Sequence, residues 1–227
     1  MVAESHPPDY SVPALDKAFD VLELLAESVR PLSQTEIAEA TSRTVSQLFR
    51  VLATLEARGW LLRDQDSGLY SFSMAAFDLA HRQPALRGLL DASLPAMRGL
   101  SEQVRQSCNL SVLDAGAVRV VAQVESPADF GYRVRVGAVF SADATATGAV
   151  LTTDVATLRR DDPLQAGITD LVVAIRDARG DTRAALTVPY VATSFSGVGV
   201  DAVMDAAADA AELIGRRLAG SSQTLPR

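Results

Sequence analysis

The sequence predicts an α+β protein that begins with short amphipathic helices and a β-hairpin and continues as strands and helices in alternation. Apolar residues at helical spacing fill most of the first 60 positions, and two helix starts there are marked by capping-box sequences. After residue 107, short apolar strand patterns alternate with turn residues. With 48% hydrophobic and 22% charged residues among 227, the chain is expected to bury a sizeable core.

Composition excludes several classes of protein. No stretch approaches the ~20 consecutive apolar residues of a membrane span, and the first residues lack the basic and apolar segments of a secretory signal. We therefore expect a cytoplasmic protein without membrane contact. The single cysteine, Cys108, excludes an internal disulfide framework, and the two histidines, His6 and His81, give little basis for a metal site. No metal or other cofactor is expected, and Cys108 is expected to lie in the core.

The N-terminal elements follow from local signals. Residues 1–13, with three prolines, are predicted to form a disordered tail, and an amphipathic helix covers Leu15 to about Ala26. Ser33–Glu36 and Thr44–Gln47 both match the capping box, so they predict the starts of a short helix and of a longer one. The longer helix should end before Gly59.

Two short strands around a glycine turn complete this part of the chain. Trp60–Asp64 and Leu69–Phe72 flank Asp66–Gly68, which is the pattern of a β-hairpin. The order helix, short helix, turn, helix, hairpin is that of a winged helix-turn-helix, which we assign to residues 14–73. In this fold the second helix of the motif can lie in the major groove of DNA.

Eight residues are predicted to face duplex DNA, on or beside that second helix: Arg43, Thr44, Val45, Ser46, Gln47, Phe49, Arg50 and Arg63. Gln47 suits adenine, Arg50 suits guanine or phosphate, and Val45 suits a thymine methyl. The chain carries a net charge of −7, yet residues 41–63 hold four arginines and one glutamate, a small basic region in an acidic domain. The alternative is that these residues are a solvated surface used for protein contacts.

The C-terminal part is predicted to be an α+β domain over residues 85–220, preceded by a linker helix over 74–84 and followed by a tail over 221–227. A helix from Ala85 to Gln106 should end or kink at Pro95. Strands are predicted over Cys108–Leu113, Val118–Val124, Tyr132–Val136, Leu171–Ile175 and Ala184–Val188, with helices over Thr145–Thr153 and Val200–Leu218. Apolar residues expected to be exposed on the linker and long helices predict a homodimer: Phe77, Leu79, Leu86, Leu89 and Leu90.

The chain resembles the IclR family of bacterial transcription regulators. Leu15–Glu27 is similar to the family's leading helix, Ile37–Leu61 to its helix-turn-helix, and Leu62–Phe72 to its wing. Further matches are Ala144–Gly148, which resembles an ATAxG stretch, and the strands at Gly167–Asp177 and Ala184–Val188. The resemblance implies a GAF-like effector-binding domain, a dimer or dimer of dimers on a palindromic operator, and a repressor. No nucleophile set, paired carboxylates or phosphate loop supports an enzyme.

The resemblance also implies an effector site at four residues: Ala146, Thr147, Asp170 and Thr187. Ala146 and Thr147 would offer backbone amides at a helix start, which suit a carboxylate. Asp170 would repel an anion and favour an amine, hydroxyl or phenol; the alternative is that it lies at a solvent-facing strand end.

The sequence departs from the family pattern in both domains. Ser42 stands where the family prefers glycine, Val45 where a basic residue is usual, and Phe49 at a polar position. Family members usually carry several tens of residues where this chain has the thirteen of 154–166. We therefore expect a shortened effector domain with a shallow, open pocket that responds weakly to simple carboxylates; the alternative is a dimeric regulator that needs no effector.

Overall fold

The computed structural model describes residues 12–129, 131–161, 166–192 and 197–221. The two predicted tails therefore lie outside the described residues, apart from residues 12, 13 and 221 at helix ends. The chain divides into two compact units, one ending at Gln83 and the other beginning at Pro84. No helix in the described part of the chain is long and apolar enough to cross a membrane.

The N-terminal unit is a winged helix-turn-helix. Its elements are α1 (Pro13–Glu27), α2 (Gln34–Ala40), α3 (Val45–Ala57), β1 (Leu61–Arg63), β2 (Tyr70–Phe72) and α4 (Ala75–His81). Both capping boxes form, at Ser33 with Glu36 and at Thr44 with Gln47, so the two sequence signals set the starts of α2 and α3. The strands β1 and β2 pair antiparallel as the wing. The core consists of apolar side chains from all three first helices and the hairpin: Val21, Leu25, Ile37, Leu48, Leu52, Leu61 and Tyr70.

The turn between α2 and α3 is fixed by backbone and side-chain contacts. Ser42 adopts a φ of 55°, a left-handed conformation that explains why glycine would suit this position. The Arg43 amide donates to the Ala38 carbonyl at 2.8 Å, and the Arg43 guanidinium forms an ion pair with Asp20 of α1. The ion pair ties the turn to the first helix.

The C-terminal unit is a six-stranded antiparallel sheet with helices on both faces. Its elements are α5 (Pro84–Val104), β3 (Cys108–Asp114), β4 (Ala117–Val124), β5 (Val139–Ser141), α6 (Ala146–Thr152), β6 (Thr157–Asp161), β7 (Ile168–Arg176), β8 (Thr182–Val191) and α7 (Val200–Ser221). The strand order is β5-β4-β3-β8-β7-β6. Leu171 and Val173 of β7 belong to the core shared with α5 and α7, whereas Val172 packs with α6 on the opposite face.

One predicted strand of this unit is absent, and one observed strand was not predicted. Tyr132–Val136 forms no strand, and the strand of this region is β5. The side chains of Tyr132 and Val134 line a cavity instead, while Arg133 and Arg135 are exposed, so the alternation in sequence reflects a cavity wall. The strand β6 was not predicted, because its residues are mostly exposed and it pairs on one side alone, with β7.

The predicted long helix is present as α5, which contains Pro95 and continues from Pro84 to Val104. Because Pro95 is exposed, the carbonyl left without its amide partner can be hydrated. One expectation for this helix was wrong. Leu89 is not exposed but buried in the core of the sheet domain, and Leu86 and Leu90 are half-buried. The helix ends before Arg105, whose φ is 55°.

Candidate functional sites

The exposed surface of α3 carries most of the predicted DNA-facing residues. Thr44 at the N-cap and four helical side chains project into solvent: Val45, Ser46, Gln47 and Phe49, with Arg50 one residue further on. Leu48 and Leu52 of the same helix are fully buried and fix the rotation of the helix on its core. The surface is therefore presented rigidly rather than by a loop.

Thr44 and Gln47 have a structural role as well. The Thr44 Oγ1 accepts from the Gln47 amide at 3.3 Å, and the Gln47 Oε1 accepts from the Thr44 amide at 3.0 Å. The bidentate adenine contact expected of Gln47 needs this oxygen too, so the capping bond competes with it. The Gln47 Nε2 is a donor that the cap does not use.

Arginines border this surface on α3 and the wing. Arg50 and Arg58 are exposed on α3, and neither forms an ion pair within the described residues. Arg63 on β1 is exposed, with its guanidinium 5.5 Å from the ring centre of Tyr70. Arg58 was counted in the basic region but not among the DNA-facing residues; the structure places it beside Arg50 on the exposed side of the helix. Arg43, which was also predicted to face DNA, instead forms an ion pair with Asp20, and this pair offsets its positive charge.

A cavity of about 140 Å³ lies on the α6 face of the sheet domain. Its lining comes from β3, β4, β5, β7, β8, the start of α6 and the segment before β5: Asn109, Ser111, Val118, Val120, Tyr132, Val134, Phe140, Ala144, Thr145, Thr147, Asp170, Thr187 and Pro189. Three of the four predicted effector residues meet here, namely Thr147, Asp170 and Thr187. Ala146 is buried in the core next to the cavity and does not line it.

Four buried polar side chains form one wall of the cavity. The Oγ1 atoms of Thr147 and Thr187 share a hydrogen bond of 3.0 Å, and Ser111 Oγ donates to Asn109 Oδ1 at 3.3 Å. All four side chains are at least 90% buried. Sequence reasoning missed Asn109 and Ser111, although their alternation with buried Cys108 and Leu110 shows that they share the other face of β3.

The start of α6 is held close to the strand before it. The Thr145 Oγ1 accepts from the Gly148 amide at 3.0 Å and donates to the Ser141 carbonyl at 3.2 Å. A Cβ at Gly148 would lie 2.0 Å from the Ala142 carbonyl oxygen, so only glycine fits there. This close approach places Ala144, Thr145 and Thr147 at the cavity.

The electrostatics of the cavity are those of a mostly neutral site with one acid. No lysine, arginine or histidine lines its described walls, whereas Asp170 does. Arg160 of β6, opposite Asp170 in register, donates from Nη2 to the Ala144 carbonyl at 3.2 Å and so braces the cavity's edge. Sequence reasoning did not anticipate Arg160, because β6 itself was not predicted.

Cys108 lies on the other face of the sheet, in the main core. Burial raises the pKa of its thiol to about 12, and the thiol contacts the Met97 carbonyl at 3.5 Å. The expected core role is confirmed. No group of three metal-ligating side chains is found among the described residues.

Family models match both units of the chain. The model described as the IclR helix-turn-helix domain matches residues 14–65, and the model described as the bacterial transcriptional regulator IclR C-terminal domain matches residues 85–165. The chain belongs to the IclR family. It is thus a member of a family of transcription regulators rather than of enzymes.

Curated relatives of this IclR-family chain are also transcription regulators. The regulator BhcR of Paracoccus denitrificans is 35% identical over 115 residues, which are 50% of this chain and 40% of BhcR. The regulator KdgR of Dickeya chrysanthemi is 27% identical over 62% of this chain and 46% of its own length. The matched part of the chain thus spans about half the length of these relatives.

Solved structures show the same fold. The IclR homologue of Microbacterium hydrocarbonoxydans in complex with 4-hydroxybenzoate has a TM-score of 0.73 at 21% identity, covering 91% of this chain and 99% of that one. The IclR protein of Thermotoga maritima has a TM-score of 0.71 at 19% identity, covering 92% and 100%. The similarity of fold to these structures confirms the GAF-like α+β fold expected of the second domain.

Proposed function

We propose that the chain is a transcription regulator, a repressor, which binds an operator duplex through α3 and a small effector in the sheet domain. The observation that carries this proposal is the capped, exposed start of α3 with Arg50, in a helix-turn-helix that the IclR family model matches. The first turns of such a helix reach base edges in the major groove, while flanking cations contact phosphates. The regulators BhcR and KdgR support the same function.

The roles on DNA divide by chemistry. Arg50 is the base or phosphate contact, since a guanidinium can pair with guanine or with phosphate oxygens. Arg58 and Arg63 are phosphate contacts from the end of α3 and from the wing. Thr44 and Ser46 supply hydroxyls at the start of the helix. Arg43 acts indirectly, because its ion pair with Asp20 holds the turn that orients α3.

Fluorescence anisotropy with a duplex selected from a random library tests DNA binding. Arg50→Ala should lose about 1–3 kcal/mol of specific binding, which is roughly 5- to 150-fold in affinity. Arg98→Ala, at an exposed position on α5, is the matched control and should bind as the wild type does. Equal affinity of Arg50→Ala and the wild type would remove α3 from the interface.

We infer that the effector is a neutral compound with one ring and at least one hydroxyl. A cavity of about 140 Å³ has the size of a single ring, since a cavity of roughly 150 Å³ holds benzene. Its apolar wall includes Val118, Val120 and Phe140, and its polar wall offers hydroxyls and an amide. The carboxylate of Asp170 disfavours an anion and can accept from a hydroxyl.

Thermal-shift measurements with matched ligands test this inference. The homologue from Microbacterium hydrocarbonoxydans binds 4-hydroxybenzoate, and 4-hydroxybenzyl alcohol is its uncharged counterpart. We expect the alcohol to raise the melting temperature more than the acid does, and Asp170→Asn to narrow that difference.

Two variants show whether the shift comes from the cavity. Thr187→Val keeps the shape of the side chain but removes the hydroxyl that pairs with Thr147, so the ligand-induced shift should fall. Thr169→Val makes the same change on β7 outside the cavity lining and should keep the shift. A strong, saturable stabilisation by pyruvate or glyoxylate, lost in Thr187→Val, would contradict the proposed neutral effector.

A further inference from the structure

The exposed side of α3 carries an apolar ridge instead of the polar surface usual on a solvated helix. Val45, Phe49, Ala53 and Ala57 recur every four residues, so their side chains lie next to one another along the helix. All four are exposed, Val45 to 40% and Phe49 to 63%.

The ridge does not serve the core of its own unit. Leu48, Leu52 and Leu55, on the buried side of α3, fill that core. An exposed phenylalanine gains little from folding, because its ring stays in contact with water. We therefore expect the ring of Phe49 to be covered by a binding partner in a complex.

The charges beside the ridge favour DNA as that surface. Arg50 and Arg58 border it together with Thr54, forming a shallow groove with Phe49 and the two alanines. The acid on this helix, Glu56, is half-buried rather than exposed. Cations beside an apolar strip match a major groove, where phosphates flank base edges and thymine presents a methyl group.

We propose that Val45 and Phe49 read the methyl groups of two thymines in each operator half-site. The proposal rests on the DNA-binding function proposed above. Residues four apart on a helix are separated by about 6 Å along its axis, which is roughly one to two base-pair steps of 3.4 Å. The two side chains thus meet bases one or two steps apart, and Arg50, next to Phe49, meets a phosphate or guanine beside them.

Replacing single thymines of the selected duplex by deoxyuridine tests the proposal. Deoxyuridine keeps every hydrogen-bonding group and removes the 5-methyl group alone. Because burial of one methyl group contributes roughly a fourfold gain, wild-type affinity should fall about three- to tenfold at two positions of each half-site and hardly at the others.

Variants assign the two positions. Phe49→Ala and Phe49→Gln should each bind thymine and deoxyuridine duplexes equally at one position, and Val45→Ala at the other. Arg50→Ala is the matched control: it should bind every duplex more weakly but keep the wild-type ratio between thymine and deoxyuridine. A thermal melt of each variant confirms folding, which the exposure of both side chains leads us to expect.

The outcomes separate this proposal from the function on which it rests. A wild-type protein that selects no sequence overturns both. A selected duplex whose thymines can all be replaced by deoxyuridine without loss overturns the methyl readout and leaves the DNA-binding function intact. Phe49 variants with unchanged DNA affinity and unchanged ratios would also overturn it, and would make the ridge a protein-contact surface.

Discussion

At the residue scale, Glu36 shows how one side chain fixes a helix start. Its carboxylate accepts from the Arg30 guanidinium at 2.7 Å and from the Ser33 amide at 2.7 Å, while Ser33 Oγ accepts from the Glu36 amide. These contacts, with the Arg30 hydrogen bond as the largest cause, lower the pKa of Glu36 to about 2. The capping box and the cation beside it both act on the ionised form.

The pKa of Glu36 predicts a pH dependence of stability. An unfolded glutamate titrates near a pKa of about 4.3, so the stabilisation is complete above that pH and is lost as the pH falls toward 2. Glu36→Gln should lower the melting temperature at pH 7 and differ progressively less from the wild type below pH ~4. Melts between pH 2 and 7 measure this, with Glu39→Gln on the same helix as control. A pH-independent difference between Glu36→Gln and the wild type would refute the prediction.

The site residues differ in how they could be found. Thr147, Asp170 and Thr187 were predicted from short strand and helix motifs that resemble those of the family, and the structure brings all three to one cavity. Asn109 and Ser111 could have been predicted from the alternation of side chains in β3. Arg160 could not have been predicted, because its position depends on the long-range pairing of β6 with β7, which no local pattern encodes.

At the element scale, signals confined to a few residues were the reliable ones. The capping boxes and the hairpin turn predicted the starts of α2 and α3 and the wing, because each signal satisfies its own backbone groups locally. Elements that depend on distant partners were missed or misplaced. A segment with an alternating pattern, such as Tyr132–Val136, becomes a strand only if a neighbouring strand pairs with it. Here Tyr132 and Val134 line a cavity instead.

The start of α6 gives a prediction at this scale. Gly148→Ala should destabilise the protein by about 1–3 kcal/mol or more, because the new Cβ would lie 2.0 Å from the Ala142 carbonyl oxygen. Gly99→Ala in α5 is the matched control. Nothing lies within 4 Å of its Cβ position, so the change should stabilise the helix by about 0.5–1 kcal/mol. Denaturant unfolding measures the free energy of unfolding of both variants. Effects of the same sign would contradict the close approach of Gly148 to Ala142.

At the scale of the whole molecule, apolar surface remains exposed on the N-terminal unit. These residues belong to α1, to α4 and to the N-cap of α4, and each is at least 52% exposed: Leu15, Phe19, Met74, Phe77 and Leu79. Large apolar side chains left exposed on so small a unit favour an association surface. We propose that it joins two copies, as a palindromic operator requires.

Sedimentation equilibrium at micromolar concentration tests the assembly. We expect two or four times the 24.0 kDa mass of the chain, and we expect Leu79→Asp to shift the equilibrium toward the monomer. Val29→Asp places the same charge at a fully exposed apolar residue outside both helices and should leave the assembly unchanged. A stable wild-type monomer would exclude the dimer and, with it, the palindromic operator.

We propose that a ligand bound in the cavity of the sheet domain lowers the affinity of the helix-turn-helix for its operator. The most direct test is an operator titration with and without a saturating neutral phenol such as 4-hydroxybenzyl alcohol. A coupling of 1–3 kcal/mol predicts an affinity lowered by about 5- to 150-fold in the wild type and in Thr169→Val. In Thr187→Val, operator affinity without ligand should be unchanged, and the effect of the ligand should be small. A ligand that stabilises the protein through Thr187 yet leaves the operator affinity unchanged would contradict this coupling between the cavity and DNA binding.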